Sequence, residues 1–121
     1  MRFAEDSPPA HSIHSYTDDG IIIDGRLITR SVVVSPDVIQ DWQPTCVKEL
    51  TAIQLEPLCA LQPEIVIIGT GKQLEFPSPE LAVYLQNKGI GVEIMTNSAA
   101  CRTFNVLLSE DRRVVVALLQ K

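Results

Sequence analysis

The chain has 121 residues, 45% of them apolar and 21% charged, a balance that builds one ordered core and is wrong for a disordered segment. Ten Lys and Arg against fifteen Asp and Glu leave a net charge of −5 with no basic run to offset it, which argues against a nucleic-acid or anionic-lipid partner. The longest apolar run, Val114–Leu119, falls far short of the roughly 20 residues that span a bilayer, so no membrane insertion is expected. The opening Met1-Arg2-Phe3-Ala4-Glu5-Asp6 is acidic where a secretory leader is basic and then apolar, so the chain reads as cytoplasmic and soluble. Cys46, Cys59 and Cys101 are odd in number and form no C-x-x-C, as suits a reducing compartment. A flexible lead-in over residues 1–11, with Pro8-Pro9, is expected before a single α/β domain over residues 12–121.

In chain order, three extended segments come first. Ile13–Tyr16, Ile21–Asp24 and Leu27–Val34 are rich in Ile, Val, Thr and Tyr, and the turn signals Asp18-Asp19-Gly20 and Asp24-Gly25 separate them. They predict an antiparallel β meander. Its third strand, with Ile28, Arg30, Val32 and Val34 on one side, reads as half-buried. Ser35-Pro36 ends that strand, and Val38–Trp42 predicts another short one, with Trp42 closing the meander over the core. Thr51-Ala52-Ile53-Gln54 matches a capping box. Pro57 then limits the helix to a short, kinked or 3-10-like stretch ending near Leu61.

The second half has another pattern. Ile65-Val66-Ile67-Ile68 is apolar without alternation, which marks a strand covered on both faces. Ser78 before Pro79 predicts a helix of about three turns that stops at Lys88-Gly89. Val92–Met95 is a second strand. Ser98 is expected to cap a helix from Ala99 to about Glu110, with Ala100, Phe104, Leu107 and Leu108 facing the core. Val114–Leu119 closes as a third buried strand. This alternation of strands and helices predicts a sheet with helices packed on it.

Three constellations bear on chemistry. Gly69-Thr70-Gly71-Lys72 follows a buried strand, where nucleotide loops sit. Leu74 replaces the third glycine of a dinucleotide fingerprint, and Val66 and Gln73 break the phosphate-loop pattern, so no nucleotide is expected. Glu93 interrupts an apolar strand; it is either paired with Arg102 or Arg113, or open to a crevice at the carboxyl ends of the strands. In Asn97-Ser98-Ala99-Ala100-Cys101-Arg102, a cap at Ser98 puts Cys101 in the first helical turn, where the helix dipole and Arg102 favour a thiolate or hold an anion. The plainer reading of Cys101 is a packed thiol, and no base for a triad is identified. His11 and His14 face opposite sides of an extended segment and make a poor metal pair. No cofactor and no metal are expected.

Ile67-Ile68-Gly69-Thr70-Gly71, Phe76-Pro77, Gly89–Met95, Ala99–Asn105 and Arg113-Val114 follow one another in an order that resembles a family of small uncharacterised α/β proteins. That family includes bacterial and archaeal members, the mitochondrial complex I assembly factor of the NADH dehydrogenase alpha subcomplex, and an adipogenesis-associated domain protein. The resemblance implies a three-layer fold: a mixed central β-sheet, helices, and an antiparallel β layer from the first half. It implies no enzymatic activity and no cofactor, and for eukaryotic members a mitochondrial location and protein partners. Phe104 stands where the family usually has Tyr, and Asn97 where an acidic residue is common.

The functional expectation is a non-enzymatic interaction or assembly-accessory domain with a protein partner. Its groove is expected to gather Gly69, Thr70, Gly71, Glu93, Ser98, Arg102 and Asn105 at the strand ends. The alternative is a small-anion binder or thiol enzyme using Cys101 and Arg102. A structural role as a subunit of a homo-oligomer is a third reading.

Overall fold

Asp24 and Gly25 adopt φ of 52° and 78°, the left-handed pair that a two-residue hairpin turn needs to match the twist of its strands. That turn joins β2 (Gly20–Ile23) to β3 (Arg26–Ile28), and the Asp18-Asp19 turn joins β1 (Ile13–Thr17) to β2. The three form an antiparallel sheet in the order β1-β2-β3. The computed structural model describes residues 11–121; the expected lead-in lies outside these, apart from His11.

The meander is shorter than the sequence implies. Leu27–Val34 is two strands in two sheets: β3 ends at Ile28, and β4 (Val32–Val34) belongs to the second sheet. The break has a specific cause. The Gln120 side chain donates to Ile28 O at 3.0 Å and Arg30 O at 2.8 Å, while Ser31 Oγ accepts from Gln120 N at 2.8 Å. These bonds take up backbone groups that a continuous strand would spend on a neighbour. β4 is also buried throughout, not half-buried.

The second sheet has the order β5-β4-β8-β6-β7, from β5 (Ile39–Asp41), β6 (Ile65–Gly69), β7 (Gly91–Met95) and β8 (Val114–Leu118) around β4. β6 lies parallel to both β7 and β8, and β4 is antiparallel to β8 and β5, so the sheet is mixed. Three helices flank it: α1 (Ala52–Cys59), α2 (Pro79–Gln86) and α3 (Asn97–Ser109). Gln54 Oε1 accepts from Thr51 N at 2.7 Å at the start of α1, and Pro57 is accommodated within the eight-residue helix. α2 is also eight residues, shorter than expected, and Ser78 Oγ accepts from Glu80 N at 3.4 Å.

Two apolar clusters explain the continuous apolar runs. Val115, Ala117 and Leu119 face one cluster with Val66, Ile68, Leu55, Leu58, Leu81, Leu85 and Trp42. Val114, Val116 and Leu118 face the other with Ile67, Phe104, Ala100 and Ile13, Ile21, Ile23 and Ile28 of the three-stranded sheet. The central sheet thus lies between α1 and α2 on one face and α3 with the three-stranded sheet on the other. This is the three-layer α/β arrangement. Each fully buried Val, Ile or Leu contributes about 1.5–3 kcal/mol, so a strand buried on both faces tolerates no polar alternation. Trp42 is buried, and its Nε1–H donates to Gln54 O at 2.9 Å, closing the layer over α1.

Candidate functional site

β6 leads into α2 on one face of the sheet and β7 leads into α3 on the other. Chains that diverge from neighbouring parallel strands leave room at the carboxyl ends, where open α/β sheets place ligands. Here the space directly above β6 and β7 is closed by a polar knot. Asn97 is 1% exposed; its Oδ1 accepts from Gly71 N at 3.0 Å and its Nδ2 donates to Leu119 O at 2.9 Å. Its backbone N–H donates to Gly71 O at 2.9 Å. Thr70 donates its N–H to Met95 O at 2.9 Å and its hydroxyl to Gln73 O at 2.8 Å, and accepts from Glu75 N at 3.2 Å. One amide side chain and one hydroxyl therefore tie together the segments that leave β6, β7 and β8. Gly69 lies beneath them: a Cβ there would sit 2.6 Å from Leu118 Cδ2 and closer still to Asn97 Oδ1.

Beside this knot opens a cleft of about 520 Å³, within the size range of small-ligand sites. Thr70, Gly71 and Lys72 form one wall, the β1–β2 turn with Asp18 another, and Thr45 with Cys46 a third. Lys72 Nζ lies 3.6 Å from Asp18 Oδ1 across the opening, with both side chains well exposed. An exposed pair of this kind contributes about 0–1 kcal/mol, so opening the bridge costs little. Lys121 and Glu75 complete a lining of mixed charge, suited to peptide and polar side-chain contacts rather than to one anion.

The expected site residues separate in space. Thr70 and Gly71 line the cleft and Gly69 supports it from below. Glu93, Ser98, Arg102 and Asn105 do not line it. Glu93 is exposed on β7, which is an edge strand; among the described residues it has no ion pair with Arg102 or Arg113 and it lies outside the cleft. Arg102 Nη1 donates to Ser98 Oγ at 2.8 Å on the exposed face of α3, and Arg113 donates to the carbonyls of Leu61 and Gln62, both at 2.9 Å. Asn105 is a staple: Oδ1 accepts from Ile13 N at 2.9 Å and Nδ2 donates to Ile13 O at 2.7 Å, fixing β1 to α3. His11 Nδ1 lies 2.8 Å from Asp24 Oδ2, and His14 is exposed.

Thr96, not Ser98, caps α3, its Oγ1 accepting from Ala99 N at 3.3 Å. This moves Cys101 to the fifth helical position, past the free N–H groups of the first turn. The thiol is 5% exposed, and its burial pushes its pKa up to about 12 against the weaker opposing charge of Arg102. Burial therefore favours the packed-thiol reading of Cys101 over the alternative of a first-turn thiolate. At pH 8, iodoacetamide is expected to label Cys101 more than about a hundred-fold slower in the native protein than in urea, read by peptide mass spectrometry. Native labelling at the unfolded rate would contradict the burial.

Residues 13–119 match the family described as "Protein of unknown function (DUF498/DUF598)". The chain belongs to this family. Among curated proteins of the same kind, NADH dehydrogenase [ubiquinone] 1 alpha subcomplex assembly factor 3 of Xenopus tropicalis is 32% identical over 98% of the chain. The chain spans 66% of that relative's length and 63% of its Bos taurus counterpart. A crystal structure of a Bordetella parapertussis protein superposes with a TM-score of 0.89 at 32% identity, covering 95% of this chain and 99% of the other. An outer membrane protein from Bartonella henselae gives 0.78, also at 32% identity, over 93% and 97%. Among the described residues of this chain, no helix is long and apolar enough to cross a membrane.

Within the DUF498/DUF598 fold, Phe104 and Asn97 both have structural roles. Phe104 is fully buried in the apolar cluster under α3, where a phenol would need its own hydrogen-bond partner. Asn97, which the sequence places just before the expected cap, is the centre of the knot. A polar residue between a strand and a helix is the signal that marks it, but its two partners, Gly71 and Leu119, lie far from it along the chain.

Proposed function

We propose that this chain is an assembly-accessory, protein-binding domain that acts in the cytoplasm on a respiratory NADH dehydrogenase. The observation that carries the reading is the relationship to an alpha subcomplex assembly factor across 98% of the chain. The cleft beside Thr70 and Gly71 is the proposed docking mouth. Its mixed lining and its weak Lys72–Asp18 bridge suit a peptide segment of an unassembled subunit.

The test is deletion of the gene in the organism that carries it, with membrane complexes resolved on native gels. Assembled NADH dehydrogenase is expected to fall several-fold and to return with the wild-type chain. A chain carrying Thr45→Arg and Lys72→Glu, both exposed positions, is expected to accumulate normally but fail to restore assembly. Unchanged assembly on deletion would overturn the reading. Full rescue by the double variant would remove the cleft from it.

A further inference from the structure

The five-stranded sheet ends on β7, whose outer side pairs with no strand among the described residues. The parallel ladder determines which backbone groups face out. Gly91 N–H donates to Glu64 O at 2.8 Å and Met95 O accepts from Thr70 N at 2.9 Å. Gly91, Glu93 and Met95 therefore turn their polar groups toward β6, in register with Ile65, Ile67 and Gly69. Val92 and Ile94 turn theirs outward, two N–H donors and two C=O acceptors at strand spacing. Their side chains pack against the α1–α2 cluster, which holds the strip rigid. Between them Glu93 projects from the opposite face, exposed, and among the described residues no ion pair includes it.

We infer that the outer edge of β7 docks an extended segment of a partner protein carrying Lys or Arg opposite Glu93, and that Glu93 excludes a second copy of this chain. Strand addition draws affinity from main-chain hydrogen bonds and specificity from the alternating side chains. The register of self-pairing follows from the outward groups. Two β7 strands meet antiparallel and centred by exchanging hydrogen bonds between Val92 of one copy and Ile94 of the other. That register puts Glu93 against Glu93 in a non-hydrogen-bonded pair, with Cα atoms about 4.5 Å apart. Like charges so placed repel, and a charge in the middle of an open edge is how soluble sheets stay unpaired. A basic side chain in the same place gains what the second Glu93 loses, and the net charge of −5 favours its approach.

This inference goes beyond the assembly-accessory reading and stands without it, because its test uses only the purified chain. The probe is the same chain carrying Glu93→Lys, which presents the β7 strip with a basic centre. Isotope-labelled wild type is titrated with unlabelled Glu93→Lys chain at low salt and followed by amide resonances. The expected result is a complex at least ten-fold tighter than either chain forms with itself, with shifts centred on Val92 and Ile94, weakening several-fold as salt rises. Glu93→Arg as the probe should behave alike, which guards against poor folding of one variant. Three results would overturn the inference: no shift at Val92 and Ile94, equal shifts with unlabelled wild type, or mixing no tighter than self-association.

Discussion

Gly69→Ala is expected to cost about 4 kcal/mol of folding stability, read from urea denaturation followed by far-UV circular dichroism. The added methyl would meet two groups that have nowhere to go. Leu118 Cδ2, at 2.6 Å, belongs to a side chain with no exposed surface. Asn97 Oδ1, nearer still, is already committed to the Gly71 N–H. Retreat of Asn97 would break that bond and the one to Leu119 O, each costing about 1–3 kcal/mol when a buried group loses its partner. Overpacking adds about 1–3 kcal/mol more, and the parts are not fully additive. A loss below about 1 kcal/mol would mean that the knot is soft. Glycine is required here by close approach alone, since its φ lies outside the left-handed range.

The second half of the chain was the easier to read, and the reason is physical. Ile65–Ile68 and Val114–Leu119 have no polar alternation because both faces of their sheet are covered, so the runs identify buried parallel strands directly. Leu27–Val34 reads as one strand but forms two, for the complementary reason. Alternation marks which way a side chain points but not which sheet receives it. Ile28, Val32 and Val34 do face the same cluster. The chain nevertheless changes sheets between them, under hydrogen bonds from Gln120 that local sequence cannot reveal.

The site was less legible than the fold. Thr96 and Ser98 both stand before a helical pattern, and either hydroxyl satisfies the preference for a cap. The choice depends on which oxygen the Ala99 N–H meets, and a shift of two residues was enough to move Cys101 out of the first turn. Glu93 depended on strand order. A carboxylate in an apolar strand needs a partner only if the strand is interior, and β7 is at the edge. Thr70 and Gly71 were found because a glycine turn after a buried strand marks the carboxyl end of a sheet. The opposite walls of the cleft, at Asp18 and Thr45, come from the other half of the chain and leave no local trace.

Asn97→Asp is the substitution with the widest consequences, because it keeps shape and changes only hydrogen-bonding character. Asn97 acts at once as acceptor for the Gly71 N–H and donor to Leu119 O. An ionised carboxylate keeps the first bond and sets a negative charge 2.9 Å from a carbonyl oxygen in a site 1% exposed. A protonated carboxyl supplies both bonds. The folded state therefore raises the pKa of the introduced Asp above its unfolded value of about 3.9. Between those two values the native state binds more protons than the unfolded state, so stability falls as pH rises. The variant is expected to lie within about 1 kcal/mol of wild type below pH 4. It should lose up to about 1.4 kcal/mol per pH unit through the window above that, reaching a deficit of about 4 kcal/mol at neutral pH. Urea titrations of both proteins from pH 3.5 to 8 measure the difference. A deficit independent of pH would show that the acid is ionised at no extra cost, and that the donor role assigned to Asn97 is not what holds the three strand ends together.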